Sequence, residues 1–254
     1  MIGAAADQGG LRLDAVEIKV TIGPAVMARA METLDLDPTA GASRRIWFCE
    51  VPSHGDGDPE PVLLGRGVIL RLRETEGKGA DSTVKFRPFD SSKLLARWRD
   101  VSRLDGGELR VEGDWVGARR VVSASLVAEQ GDDEPAEAAA GRRPVAKLFS
   151  QDQEDFLRDH AGDPVELSGL RALGPIAARK WEPRDRRLPR DLAAEHWKVD
   201  ELEFLELSVR ADDVTDAADL QQRLDRALGE RGLATDVVQE TKTRTVLEHL
   251  IRKR

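Results

Sequence analysis

The sequence predicts an antiparallel β-barrel with helices packed on its outside. Many short segments alternate apolar and polar residues, which is typical of strands with one buried face. Segments rich in Gly, Pro and Asp separate these strands and indicate turns and loops. The length of 254 residues suits a single barrel domain. Because aromatic residues make up only 4% of the chain, Leu, Val, Ile and Ala must build most of the core.

The first half of the chain is expected to supply six strands. In residues 13–22, the apolar Val16 and Ile18 alternate with the charged Glu17 and Lys19. Since successive strand side chains point to opposite faces, this strand has one apolar and one charged face. The other elements predicted for this half are a helix from Pro24 to about Leu36, strands at 46–51, 67–75, 82–88, 108–115 and 120–128, and a short helix near 91–99.

Residues 129–143 separate the two halves of the sequence. They are acidic, rich in Ala and Gly, and without an apolar period, a composition typical of a flexible linker. We therefore predict one domain over residues 1–254, with its core at about 13–250 and this linker between two half-barrels. The alternative that the linker separates two domains stays open.

Capping signals define the helices of the second half. Ser150 and Gln153 have the spacing of a capping box, which predicts a helix that runs to about His160. Thr215 is the predicted N-cap of a long amphipathic helix over Asp216–Arg231. The remaining elements predicted here are strands at 176–181, 196–200, 203–210 and 236–241 and a short helix at 245–251.

Composition and missing motifs exclude several classes of protein. The net charge of −8 argues against nonspecific nucleic-acid binding, which needs an electropositive surface. Cys49 is the single cysteine, so an intramolecular disulfide is excluded. The sequence has no apolar run long enough for a membrane helix and no signal-peptide pattern, so we expect a cytoplasmic protein. It also lacks a P-loop, a dinucleotide fingerprint, a Gly-x-Ser-x-Gly elbow and zinc-ligand spacing.

Charged residues recur at every second position of several predicted strands. The sets are Arg71 with Arg73, Lys85 with Arg87, and Arg110 with Glu112 and Asp114. For any one strand, the ordinary explanation is a solvated face. Taken together, the four cations of the first two strands repel one another unless an anion neutralises them. A phosphate chain suits this pattern, because Arg and Lys bind phosphate oxygens while carboxylates hold Mg²⁺.

The order of the motifs along the chain indicates a family. Glu17-Ile18-Lys19 opens the first strand, and GVILRLRE, STVKFRP, RVEGD, ELEFLELSV and QETKTR follow in that order. This order resembles the CYTH superfamily, also called triphosphate tunnel metalloenzymes, which includes thiamine triphosphatases and class IV adenylate cyclases. The resemblance extends from about Leu13 to Leu250. It implies an α+β fold, an eight-stranded antiparallel tunnel with outer helices, in which inward cations bind a triphosphate and inward carboxylates bind a divalent metal.

The resemblance also implies a role for individual residues. Glu17 and Glu112 would be the catalytic carboxylates, with Glu17 orienting the attacking water. Mg²⁺, or Mn²⁺ in its place, would be held by Glu112, Asp114 and Glu206. The implied phosphate contacts are Lys19, Arg71, Arg73, Lys85, Arg87, Lys180 and Lys242, with Arg110 as a further one.

Two positions depart from the pattern of the family. Ala15 stands where the opening motif of the family has its first Glu, and Ser208 stands where a second late carboxylate is expected. Each departure removes an oxygen ligand for a metal ion. Triphosphate binding is therefore better supported by the sequence than triphosphate cleavage.

These inferences predict a metal-dependent phosphohydrolase that acts on a linear triphosphate or an organic triphosphate. The alternatives are a noncatalytic module that binds polyphosphate or a nucleotide, a class IV-type adenylate cyclase, and a scaffold whose charged strands are merely solvated. The expected partner is the triphosphate itself, without nucleic acid or membrane, and the protein is expected to be a monomer or a homodimer.

Overall fold

A closed ring of nine strands forms the centre of the molecule. The computed structural model describes residues 13–51, 60–99, 104, 107–185, 187–233 and 242–253. Around the ring the order is β1-β5-β6-β4-β3-β2-β7-β8-β9. The strands are β1 (Ala15–Ile22), β2 (Ala42–Glu50), β3 (Val68–Thr75), β4 (Gly79–Phe86), β5 (Gly107–Val116), β6 (Arg119–Gln130), β7 (Arg171–Trp181), β8 (Ala193–Val199) and β9 (Leu202–Ala211).

The barrel class is confirmed, but the prediction of eight antiparallel strands is wrong in two details. The described residues form nine strands, and β1 pairs with β5 in parallel while the other neighbours are antiparallel. The two differences have one cause. Antiparallel neighbours run in alternating directions, and strand directions cannot alternate all the way around a closed ring with an odd number of strands. One neighbouring pair must therefore run in parallel. The strand predicted at 236–241 lies outside the described residues.

Six helices accompany the barrel in the described part of the chain. They are α1 (Pro24–Thr33), α2 (Val62–Gly65), α3 (Glu134–Ala139), α4 (Gln151–His160), α5 (Val214–Glu230) and α6 (Lys242–Arg252). The capping box of Ser150 and Gln153 is present at α4. Helix α5 begins two residues earlier than predicted, because Asp213 rather than Thr215 is its N-cap and accepts hydrogen bonds from two backbone amides. None of the helices described is long and apolar enough to cross a membrane.

Two predicted segments have a different local structure. The helix predicted near 91–99 consists of two 3₁₀ turns, Ser91–Lys93 and Ala96–Trp98. In the segment predicted as a flexible linker, β6 continues to Gln130 and α3 follows. Ala138 of α3 is buried, and the Ala136 amide donates to Glu74 at 3.0 Å. The sequence lacks an apolar period here because small residues make these contacts.

Apolar side chains cover the outer surface of the barrel. Val16, Ile18 and Ile22 of β1 are buried in one cluster with residues of α1 and α5. A second cluster packs α4 against the outer side chains of β3, β4 and β6. Burial of each large aliphatic side chain stabilises the fold by about 1.5–3 kcal/mol. With the apolar faces turned outward under helices, the charged faces of the same strands point into the barrel.

Helix α6 covers one end of the barrel. Its residues Val246 and Leu247 are buried in a third apolar cluster with Phe48, Ile69 and Trp197. These three partners line the interior of the barrel. Helix α6 therefore packs on inward-facing side chains, and the tunnel is covered on that side.

Candidate functional site

The interior of the barrel is a charged cavity of about 400 Å³. All nine strands and the first residues of α6 contribute to its wall. Every site residue predicted from the sequence lines it except Asp114, which is buried and contacts three of the cations that do. Among the described residues, ten lysines and arginines line the cavity against five aspartates and glutamates. The cavity is therefore suited to an anion.

Strands β3 and β4, with the residue that follows β4, form a basic wall, which consists of Arg71, Arg73, Lys85 and Arg87. The hairpin between the strands turns at Gly77, whose φ of 70° is one that a glycine adopts without strain. The turn fixes a register in which Arg73 lies opposite Asp81 and Arg71 opposite Thr83. Arg73 donates to Asp81 at 2.7 Å, and Arg71 donates to Thr83 at 3.0 Å. These contacts hold the guanidinium groups beside the cavity.

The basic wall carries a net positive charge, because only two carboxylates pair with its four cations. Burial, together with the charges of Lys19 and Arg87, lowers the pKa of Lys85 to about 8 despite the nearby Asp114 carboxylate. Burial and the adjacent Arg73 charge lower the pKa of Arg71 to about 10. A bound anion would oppose both effects.

Asp114 of β5 is a buried counterion of Lys19 and of two cations of the basic wall, Lys85 and Arg87. Its carboxylate lies 2.6 Å from the Lys19 Nζ, 3.1 Å from the Lys85 Nζ and 4.0 Å from Arg87. Although burial alone would raise the pKa of Asp114, these three cations hold it well below its usual range. The carboxylate is therefore charged at neutral pH and holds cations of β1 and β4 together.

The remaining predicted carboxylates lie on the neighbouring strands β9, β1 and β5, and each contacts a cation. Glu17 lies 2.6 Å from the Lys19 Nζ. Glu112 forms an ion pair with Arg210, and Glu206 lies 2.8 Å from the Lys242 Nζ. We call Glu17, Glu112, Asp114 and Glu206 the acidic wall. It lies on β9, β1 and β5, whereas the basic wall lies on β3 and β4.

The acidic wall does not form a metal site in this arrangement. Carboxylate oxygens are suitable ligands for Mg²⁺. Within the described ranges, however, three metal-binding side chains have ligand atoms within 4.8 Å of one another only at Asp200, Glu201 and His249. Those three residues do not line the tunnel cavity. The structure does not bring Glu112, Asp114 and Glu206 together as a set of ligands, and the metal requirement stays a prediction.

A second, wider cavity of about 740 Å³ adjoins the tunnel at the end where β7 finishes and β2 begins. Arg44 and Lys180 line both cavities. Leu34, Leu36 and Trp181 contribute apolar surface to the wider one. We call this cavity the vestibule, and Arg44 and Lys180 mark where it joins the tunnel.

Comparison with solved structures identifies the fold. A Hippeastrum protein assigned as an adenylyl cyclase, for which a dominant triphosphatase activity was found, is 15% identical over 90% of this chain and 93% of its own, with a TM-score of 0.57. A protein of Bacillus halodurans assigned as an adenylate cyclase is 16% identical over 91% of this chain and 96% of its own, with a TM-score of 0.58. This chain has the CYTH fold. No protein-family model and no curated protein matches the sequence.

The CYTH fold brings charged residues into the site that the sequence analysis missed, among them an arginine of β2 and a glutamate of β8. Arg44 and Glu195 line the cavity and form an ion pair at 2.6 Å. Arg44 lies on β2 and Glu195 on β8, and both strands begin earlier than predicted, at Ala42 and Ala193. Arg44 lies two residues before the inward Ile46, and Glu195 two residues before the inward Trp197, so extending the alternation toward the N-terminus would have found both.

Lys242 reaches the CYTH tunnel from a helix rather than from a strand. It is the first residue of α6, and its Nζ lies 4.0 Å from the centre of the Trp197 ring. It also contacts Glu206 at 2.8 Å and Glu195 at 3.3 Å. Although burial would raise the pKa of Glu195, the charges of Lys242 and Arg44 lower it well below its usual range. Helix α6 is thereby fixed to the tunnel wall by charge as well as by apolar packing.

Proposed function

We propose that the tunnel binds the phosphate chain of a linear or organic triphosphate and hydrolyses it. The observation that carries this proposal is the twofold excess of cations over carboxylates among the described residues of the cavity wall. Even with the half-buried Asp81 and the buried Asp114 counted, cations remain in the majority. Among the structures with the same fold, the Hippeastrum protein has a triphosphatase activity, which supports a similar substrate class here.

The residues of the chain suggest how such a substrate is held. The guanidinium groups of Arg71 and Arg73 can each donate two hydrogen bonds to phosphate oxygens. Lys85 supplies a further cation of the basic wall and contacts Asp114 of the acidic wall at 3.1 Å. These charges are already in place before the reaction, so they stabilise negative charge that develops on the transferred phosphoryl group.

Glu17 is the proposed group that orients the attacking water. Although burial opposes it, the neighbouring Lys19 lowers the pKa of Glu17, so the carboxylate is charged at neutral pH and can accept a hydrogen bond from water. We expect Glu17→Gln to lower phosphate release from tripolyphosphate at least 100-fold, because general-base assistance contributes about 10²–10⁴ in rate. Binding of tripolyphosphate, measured by calorimetry, should remain within a few-fold of the wild type.

The matched control for this prediction is Glu203→Gln. Glu203 is a carboxylate of the same barrel that pairs with Lys198 at 2.6 Å and does not line the cavity. Its substitution should leave turnover unchanged. Full activity of Glu17→Gln would remove Glu17 from the mechanism.

The assay that tests the function measures orthophosphate release from tripolyphosphate, ATP and thiamine triphosphate. Each substrate is tested with Mg²⁺, with Mn²⁺ and with EDTA, beside a thermal-shift measurement of binding. Turnover that needs the metal would support the triphosphatase and its predicted Mg²⁺ or Mn²⁺ requirement. Release of pyrophosphate and cyclic AMP from ATP would indicate the cyclase instead.

A noncatalytic binding module is the second candidate. Each acidic-wall carboxylate contacts a Lys or Arg, which favours this binding module. The absence of carboxylates at Ala15 and Ser208 favours it as well. This candidate predicts a thermal shift with tripolyphosphate and no turnover with either metal.

The affinity for the anion should depend on the protonation of Lys85. Because the pKa of Lys85 is about 8, raising the pH through 8 removes one positive charge from the basic wall. We expect the affinity for tripolyphosphate to begin to fall near pH 8. A Lys85→Arg variant keeps its charge to much higher pH, so its affinity should vary less between pH 7 and pH 10. Identical pH profiles for the two proteins would show that Lys85 does not contact the anion.

A further inference from the structure

Arg210 is a cation beside the acidic wall that the sequence analysis did not assign to the site. It follows Glu206 and Ser208 at every second position of β9 and lines the tunnel cavity. In the register of the barrel, Arg210 lies opposite Glu17 on one side of β1. Glu112 lies opposite Ala15 on the other side of β1. The short side chain of Ala15 leaves room for Arg210 to reach across β1.

The Arg210 guanidinium contacts the Glu112 carboxylate. The Glu112 side chain is 8% exposed, whereas the Arg210 side chain is 48% exposed. A carboxylate this deeply buried needs a positive partner, since removal of one member of a buried ion pair is strongly destabilising. The exposed part of the guanidinium still carries N–H donors, because arginine has five and a carboxylate uses at most two of them.

We propose that Arg210 is a fixed cation in the place that a metal ion would need beside Glu112, and that its remaining N–H groups bind a phosphate of the substrate. Glu112 is then a counterion of Arg210 rather than a metal ligand. This inference rests on the proposed function only for the identity of the anion. The relation between Arg210 and Glu112 can be tested separately.

Binding of Mn²⁺ alone, measured by electron paramagnetic resonance without any phosphate, tests whether Arg210 blocks Glu112. We expect Arg210→Gln to bind Mn²⁺ at least tenfold more tightly than the wild type, because it frees a buried carboxylate. Arg210→Lys keeps the positive charge and should bind Mn²⁺ like the wild type. Combining Arg210→Gln with Glu112→Gln should abolish the gain.

A control variant and two further measurements complete the test. Arg171→Gln is the matched control, since Arg171 is an exposed strand arginine outside the cavity lining, and it should leave Mn²⁺ binding unchanged. In EDTA, Arg210→Gln should bind tripolyphosphate at least tenfold more weakly, as expected for the loss of one charge-assisted hydrogen bond. Thermal melting of Arg210→Lys and Arg210→Gln shows that the compared proteins are folded.

Wild-type Mn²⁺ affinity in Arg210→Gln would overturn the proposal, as would unchanged tripolyphosphate affinity in that variant. A wild-type protein that does not bind tripolyphosphate at all would instead refute the proposed function. The Mn²⁺ measurement would still decide whether Arg210 holds Glu112.

Discussion

Replacing Arg71 and Arg73 together by glutamine is expected to weaken tripolyphosphate binding by at least 100-fold. Each guanidinium lies on the basic wall and can form charge-assisted hydrogen bonds to phosphate oxygens, which contribute about 1.5–3 kcal/mol each. Loss of one such bond from each arginine gives the stated factor. The measurement is calorimetric titration with tripolyphosphate in EDTA, so that metal binding does not contribute.

The matched control is the double variant of Arg171 and Arg179 to glutamine. Arg171 is an exposed residue and Arg179 a half-buried residue of β7, and neither lines the tunnel cavity. The control removes the same net charge from the protein, so it separates local contacts from the overall electrostatic attraction. Equal losses in the two double variants would contradict a specific role for the basic wall.

Asp114→Asn is expected to be the most destabilising single substitution in the tunnel. The carboxylate is 2% exposed and lies within 4.0 Å of cationic groups of Lys19, Lys85 and Arg87. Without it, these buried charges repel one another, and breaking a buried ion pair typically lowers the free energy of unfolding by about 3–5 kcal/mol. Chemical denaturation of the variant and the wild type at pH 7 measures the difference.

Tripolyphosphate should restore part of the stability that Asp114→Asn loses. The anion replaces the missing negative charge, so it should raise the melting temperature of the variant more than that of the wild type. Glu203→Gln, which removes a carboxylate outside the cavity lining, should show neither the loss nor the enhanced rescue. An equal shift in all three proteins would show that Asp114 is not the counterion of the phosphate-binding cations.

The pH dependence of stability should distinguish Asp114→Asn from the wild type. The pKa of Asp114 is depressed in the folded protein, so its contribution to stability is present above the unfolded-state pKa of about 4 and is lost as pH falls below it. The free energy of unfolding of the wild type should therefore fall more steeply than that of the variant between pH 4 and pH 2. Parallel curves would show that the carboxylate adds no stability.

Much of the barrel could be predicted from the sequence because alternation is a local signal. The pairs Arg71 with Arg73 and Lys85 with Arg87 were placed on common faces by their spacing alone, and the structure puts all four in the cavity wall. Spacing also placed Glu17 and Lys19 on the charged face of the first strand. Their chemical roles in the site remain predictions.

Pairing between strands could not be predicted in the same way. Arg44 meets Glu195 across 151 residues of sequence, and Arg210 meets Glu112 only because β1 lies between their strands. Such contacts depend on which strands are neighbours and in which register, and a single sequence does not show this. The parallel pairing of β1 with β5 was missed for the same reason.

The pairing of β1 with β5 and β9 also determines when the site can form during folding. Strand β1 comes first along the chain, yet its neighbours in the ring are β5 and β9, and the contact between Lys19 and Asp114 spans 95 residues. The acidic wall is shared among these three strands, so it is absent until the beginning and the end of the barrel sequence meet. A nascent chain that still lacks β9 can contain the β3–β4 hairpin with its four cations, but Glu206 and Arg210 are not yet present to complete the opposite wall.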